Sequence, residues 1–152
     1  MTDLQLWQHS SACAPICKPK HRICQRGTSM TTSKSDIAAL ALSVTKKHGI
    51  RRCRECATEL REVLATLGKK GCVLRLKTRG GRGYIVMKDP TFLLPFTADK
   101  DEAIATSGQH FGVLVGGLVY DNIFQQGISR SAWENSFACD IGTFDVEEIE
   151  PF

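Results

Sequence analysis

Two cysteines lie one helical turn apart, and arginines flank the first of them: Arg52-Cys53-Arg54, then Cys56. If a helix begins at Cys53, its terminal amide groups and the neighbouring cations favour the thiolate over the thiol. Cys56 falls on the apolar stripe of the same helix, where desolvation disfavours the thiolate. The spacing therefore predicts that Cys53 is a nucleophile and that Cys56 fills space in the core.

His110 and Asp121 are the residue types that could activate such a thiol. A two-residue hairpin loop at Gly116-Gly117 fixes the register of the flanking strands. In that register the two side chains share one face as diagonal neighbours, about 7–8 Å apart between backbone positions, and Gly112 opposite Asp121 leaves room for them. A carboxylate that holds one ring nitrogen leaves the other free to accept a thiol proton, which is the arrangement used in acyl transfer.

Hydrophobic periodicity and turn residues predict the elements that position these side chains. The predicted helices run from Ser33 or Ser35 to Lys46–Gly49 and from about Ile50 to Gly68–Gly71, and a short third helix from Ser129 or Ser131 carries Trp133 and Phe137. The predicted strands are 72–77, 84–87, 111–115, 118–123 and 144–149. The loop 79–83 is predicted to join the first two strands as a hairpin. This order predicts an α+β fold with N-terminal helices packed on an antiparallel sheet.

Length and composition predict one domain with an appendage. The chain has 152 residues, of which 42% are hydrophobic and 24% charged, as in soluble globular proteins. Residues 1–32 lack helical or alternating periodicity and are predicted to form an irregular N-terminal extension. The domain that carries the candidate site is then predicted to span residues 33–152.

The charge of the chain is divided unevenly between its halves. Residues 1–82 hold 17 lysines and arginines against 5 acidic residues, whereas residues 83–152 hold 3 against 11. We expect the two halves to attract each other at close range. The basic half nevertheless leaves an alternative to catalysis, namely a nucleic-acid-binding or protein-interaction module, although the Arg79–Gly83 loop is too short to favour nucleic acid.

The seven cysteines are better explained by thiol chemistry than by a disulfide framework, because their number is odd and we find no signal peptide before them. No apolar run is long enough to span a membrane, so the prediction is a cytoplasmic protein with no membrane partner. Zinc binding by the N-terminal Cys13, Cys17, His21 and Cys24 is disfavoured by their irregular spacing. A thioredoxin-like role for the Cys53 pair would require a buried strand just before it, and residues 48–52 do not predict one. We predict no metal or other cofactor.

Four short motifs follow one another along the chain. They are Cys53-Arg54-Glu55-Cys56-Ala57, Ser107-Gly108-Gln109-His110, Tyr120-Asp121-Asn122-Ile123, and Gly127-Ile128-Ser129 followed by Trp133. In their order and spacing they resemble the papain-fold toxin 2 family, one of the papain-like toxin domains of bacterial polymorphic toxin systems. The resemblance covers about residues 35–150.

The resemblance implies a papain-like cysteine-enzyme core and a catalytic domain over residues 33–152. By it, Cys53 is the nucleophile, His110 the general base and Asp121 the partner that orients the base. Papain-like peptidases use the second cysteine of a similar pair, so Cys56 stays open as the nucleophile. The family also implies a peptidase or glutamine deamidase acting on a protein or peptide, delivery into a target cell as an effector, and an immunity protein as partner.

Overall fold

The computed structural model describes residues 33–88, 103–140 and 142–152. Its elements in chain order are α1 (Lys34–Thr45), α2 (Cys53–Thr66), β1 (Gly71–Thr78), β2 (Ile85–Met87), β3 (Gln109–Val115), β4 (Leu118–Tyr120), β5 (Ile128–Ser129), α3 (Arg130–Asn135), β6 (Phe137–Cys139) and β7 (Phe144–Pro151). The α+β prediction is confirmed. The proposed extension at residues 1–32, with Cys13, Cys17, His21 and Cys24, lies outside the described residues.

Five strands form one antiparallel sheet in the order β5-β4-β3-β1-β7, and β2 pairs with β6 in a second sheet of two strands. The chain's third helix leads from β5 into β6. The three internal strands β4, β3 and β1 are therefore each paired on both sides.

The first two helices pack on one face of the large sheet. A capping box begins α1, since the Ser33 hydroxyl accepts from the Asp36 amide and the Asp36 carboxylate accepts from the Ser33 amide. The shared core of α1, α2 and this sheet face includes Ala41, Leu60 and Val113. The predicted packing of N-terminal helices on an antiparallel sheet is thus present.

The opposite face of the sheet carries a second core. Its members are Leu74, Leu76, Ile85, Ile104, Ala105, Val119, Trp133 and Phe137. Trp133 of α3 is fully buried in it. The sheet therefore lies between two apolar layers, and the His110 side chain in the middle of it is removed from water.

Several local predictions were wrong. The segment after the 79–83 loop does not return along β1, because both edges of β1 are taken by β3 and β7; β2 pairs with β6 instead. Phe137 lies in β6 rather than in the short helix, which ends at Asn135. Alternation along 72–77 also predicts a solvated face with Val73 on it, but Val73 is buried because the helices cover that face.

Ion pairs join the basic first half of the chain to the acidic last strand. Arg61 pairs with Glu150 at 2.7 Å, Arg75 with Glu147, and Arg79 with Asp145 at 3.8 Å. These contacts are consistent with the expected attraction between the halves. In the described parts of the chain, no helix has the length and apolar character needed to cross a bilayer.

Candidate active site

His110 and Asp121 form a buried hydrogen-bonded pair. The imidazole Nε2 of His110 lies 2.8 Å from Oδ2 of Asp121, and both side chains are almost completely excluded from solvent. The predicted register is confirmed over the three pairs that form, since Val115 faces Leu118 across Gly116-Gly117, but the strand predicted at 118–123 ends at Tyr120, so Asp121 follows the strand and is not paired with Gly112. Alternation from that turn places the imidazole and the carboxylate on one face, as the sequence predicted.

Four hydrogen bonds converge on the Asp121 carboxylate. Oδ2 accepts from His110 and from the indole Nε1 of Trp133 at 2.7 Å. Oδ1 accepts from the backbone amides of Ile123 at 2.8 Å and Phe124 at 2.5 Å. The two backbone bonds form a tight turn that ends β4, and all four together fix the carboxylate against the imidazole.

Cys53 joins this pair from the start of α2, on the side of the site where β4 is short. The β3–β4 ladder runs only from Val113 to Val115, so β4 turns away before it reaches the level of His110. Helix α2, which begins at Cys53, packs against β3, and the Cys53 side chain interacts with the His110 ring. All three residues are buried, and Cys53 is the least completely buried of them at 5% exposure, against 0% for His110 and 1% for Asp121.

The loop before Cys53 is held in place at both of its sides. The Asn122 side-chain amide donates to the Gly49 carbonyl at 2.8 Å, and the Arg51 guanidinium donates to the Ala103 carbonyl at 3.2 Å. Arg51 itself has φ 69°, a left-handed conformation that is strained for a residue with a Cβ. Asn122, which follows Asp121 directly, therefore links the loop of the thiol to the turn of the carboxylate.

The charges of the pair favour an ionised carboxylate beside a protonated imidazole. Burial alone would raise the pKa of Asp121, but the hydrogen bond and charge of His110, with the Phe124 and Trp133 donors, hold it below its ordinary value. Burial alone would lower the pKa of His110, but its contacts with Asp121 and Cys53 raise it to about 9. The imidazole is consequently a strong base whose protonated form is stabilised in place.

Cys56 lies in a different environment from Cys53. Its side chain is fully buried, and burial together with the negative charges of Asp121, Cys53 and Glu59 raises the pKa of its thiol to about 12. The residue has little thiolate at neutral pH, as its position on the apolar stripe predicted. Of the two cysteines, Cys53 is the one that contacts the imidazole.

His110 presents its second ring nitrogen without a hydrogen-bond partner among the described residues. Nδ1 is buried. The neighbouring Cys53 thiol helps to raise the pKa of His110 but forms no hydrogen bond of ordinary geometry to Nδ1. Thiol-imidazole contacts of this kind are commonly loose before substrate binds. Nδ1 is thus the nitrogen available to exchange a proton with Cys53.

Trp133 is the site residue that sequence reasoning missed, since it was interpreted only as a core anchor. Its ring stacks near His110 with centroids 5.8 Å apart, and Phe137 lies 4.8 Å from the same imidazole on another side. The available signal was the requirement that a buried indole N–H find an acceptor. Gln109 is only a half-buried residue at the start of β3, and Asn122 has the structural role described above.

We expect Gly112→Ala to disturb the pair through Trp133. A Cβ at residue 112 would lie 2.7 Å from Cγ1 of Val119 and 3.1 Å from Cζ2 of Trp133. The indole must shift to relieve these contacts, which weakens its bond to Asp121 and costs about 1–3 kcal/mol of unfolding free energy. Urea unfolding and the alkylation rate of Cys53 measure the two effects; unchanged values for both would show that Val119 alone absorbs the contact.

No group of three or more His, Cys, Asp or Glu side chains within residues 33–88, 103–140 and 142–152 could hold a metal ion. The polar groups around His110 are donors and acceptors already used within the chain. What the described arrangement offers is a thiol, a base and an orienting carboxylate.

Comparison with known proteins gave one match. The model of a family described as papain fold toxin 2 matches residues 36–138, which is well over half of the chain and includes all three candidate residues. Neither the curated proteins nor the solved structures contain a significant match.

Proposed function

Because the chain belongs to the papain fold toxin 2 family, we propose that it is a papain-like cysteine enzyme that acts on an amide bond. Its substrate is a protein or peptide, and its reaction is peptide-bond hydrolysis or glutamine deamidation. The observation that carries the proposal is the 2.8 Å contact of His110 with Asp121 on an imidazole that also contacts Cys53.

In the reactive form that we propose, the Cys53 proton already resides on Nδ1 of His110, so that a thiolate faces an imidazolium. The sulfur attacks the carbonyl carbon of the substrate amide, and the imidazolium then protonates the departing amine or ammonia. A thioester to Cys53 remains, and water activated by the neutral imidazole hydrolyses it. Asp121 keeps Nε2 protonated throughout, so that Nδ1 is the nitrogen that accepts and returns the proton.

The start of α2 supplies a means to stabilise the oxyanion of this reaction. The first amides of a helix lack intrahelical acceptors, and the positive end of the helix dipole lies at the same place. Cys53 is the first residue of the 14-residue helix α2. Its backbone amide is therefore our candidate donor to the oxygen that becomes negative as the sulfur attacks.

Substrate class is tested by what the enzyme releases. The purified chain is incubated with a bacterial lysate, and the proteome is searched for new peptide N-termini and for glutamines converted to glutamate. New N-termini absent from a Cys53→Ala control identify a peptidase, and conversion without cleavage identifies a deamidase. If neither product exceeds that control, the proposal of amide chemistry is wrong.

Activity should decline as the pH rises through about 9, the pKa to which the site raises His110. Above that pH the imidazole is neutral and cannot protonate the leaving amine. Alkylation of Cys53 needs only the thiolate and should not decline over the same range. Parallel pH profiles of turnover and of iodoacetamide labelling check this; a joint decline would contradict the assigned role of His110.

A nucleic-acid-binding function gains no support from the described surface. The arginines of the basic half at positions 61, 75 and 79 are paired with carboxylates of β7. The charges of these three arginines are partly neutralised within the chain, which weakens this region as a basic face. We therefore propose no second function.

A further inference from the structure

Cys56 is a buried nucleophilic group that the proposed mechanism does not use. It lies three residues after Cys53 on α2, and both thiols are free. From these positions we propose that Cys53 and Cys56 form a reversible modification site, in which peroxide converts the two thiols into a disulfide. The consequence for activity rests on the proposed function, whereas the oxidation itself does not.

Helix geometry brings the two residues within range of a disulfide. Residues three apart in an α-helix have Cα atoms about 5 Å apart, inside the range of about 4.4–6.8 Å seen in disulfides. Their Cβ atoms, about 5–6 Å apart in a regular helix, must approach to about 4 Å. The first turn can make that change, because Cys53 is the first helical residue and its amide is not committed to an intrahelical bond.

The surroundings of the pair determine which sulfur is oxidised first. Cys53 interacts with the His110 imidazole, which can take its proton, and its residue is 5% exposed against 0% for Cys56, so a small oxidant meets Cys53 first. Cys56 is fully buried behind it. Cys53 is thus the peroxidatic sulfur, and Cys56 is the thiol that resolves the oxidised product.

The proposed steps balance with peroxide as the oxidant. The Cys53 thiolate attacks one peroxide oxygen, the O–O bond breaks, and the departing hydroxide takes the imidazolium proton of His110 to form water. The Cys56 sulfur then attacks the sulfenic acid on Cys53, the S–O bond breaks, and the leaving hydroxide takes the Cys56 proton. A small dithiol reduces the disulfide by exchange and regenerates both thiols.

The disulfide would remove the nucleophile without damaging it. While it is intact, the Cys53 sulfur is bonded to Cys56 and cannot accept a substrate acyl group. A resolving thiol one turn away also intercepts the sulfenic acid before a second peroxide produces the irreversible sulfinic acid. The pair would therefore protect Cys53 and switch the enzyme off under oxidising conditions.

Peptide mapping of the full chain tests the site directly. Trypsin cuts after Arg52, Arg54 and Arg61, so a disulfide joins the dipeptide 53–54 to the peptide 55–61. After brief treatment with hydrogen peroxide we expect this joined product, loss of iodoacetamide labelling at Cys53, and full recovery of labelling with dithiothreitol. In Cys56→Ala we expect sulfinic acid at Cys53 and no recovery.

Two outcomes would overturn the inference: absence of the joined peptide from the oxidised wild-type chain, or equal sulfinic acid formation with and without Cys56. Because the mapping measures bonds and not turnover, it separates the two proposals. A joined peptide in a chain with no amide-processing activity would refute only the proposed function. An active chain whose Cys53 oxidises irreversibly would refute only the modification site.

Discussion

Cys53→Ala is expected to abolish turnover, with a loss on the order of 10⁴–10⁶ in rate as for other nucleophile removals. Cys53 is the thiol whose interaction raises the pKa of His110, whereas the pKa of Cys56 is raised to about 12. Turnover of a substrate identified in the lysate experiment, and growth arrest on induced expression in bacteria, both measure the effect. Circular dichroism before and after the change shows that the fold persists.

Cys56→Ala is the matched control, since it removes a sulfur one helical turn away and places a good helix former in α2. We expect this variant to keep turnover within about tenfold of the wild-type rate, because the lost sulfur leaves only a small cavity. If Cys53→Ala remains active and Cys56→Ala is inactive, the nucleophile is Cys56. That result would also remove the basis for the direction of the oxidation steps.

The hairpin part of the site could be predicted from sequence because it is local. Two glycines fix the β3–β4 register, φ is 61° and 85° at Gly116 and Gly117, and strand alternation then determines that His110 and Asp121 share a face. The helix that begins at Cys53 was predicted equally well from its apolar stripe. In each case the information lies within about a dozen residues.

The contacts that bring these parts together could not be predicted in the same way. Alternation identified β2 as a strand, but its partner β6 lies some 50 residues further along the chain, and only the occupied edges of β1 decide that pairing. The Asn122 bond to Gly49 spans 73 residues. Contacts of this kind depend on how completed elements pack, which periodicity does not specify.

The bond from Trp133 to Asp121 shows the same limit at the level of one side chain. The sequence identifies a tryptophan on a short helix and a glycine at residue 112, and both are explained by core packing alone. Only the fold shows that the space above Gly112 holds the indole and directs its N–H to the carboxylate. A residue interpreted as structural thereby becomes part of the hydrogen-bond network of the candidate site.

Asp121→Asn should be the most damaging isosteric change in that network. The carboxylate accepts from four donors, two at each oxygen. If the carboxamide oxygen stays with the backbone amides, its NH₂ group faces the Trp133 N–H and makes Nε2 of His110 an acceptor. If the group flips, NH₂ faces the two backbone amides, so either orientation leaves buried donors opposed to one another, at a cost of about 1–3 kcal/mol for each unsatisfied group.

The first orientation also predicts the kinetic result. An Nε2 that accepts from the introduced carboxamide leaves the proton on Nδ1, and that nitrogen can no longer take the proton of Cys53. We expect turnover to fall by on the order of 10³–10⁴, as when the orienting aspartate of another triad is replaced. We also expect the decline of turnover at high pH to begin below about 9, because the charge that raises the pKa of His110 is gone. Turnover measured against pH reports both effects. The control is Trp133→Phe, which removes one donor and leaves the carboxylate charged, so its turnover should decline near the same high pH as that of the wild-type chain. If turnover of Asp121→Asn declines at the same high pH as that of the wild-type chain, the carboxylate does not set the proton affinity of His110.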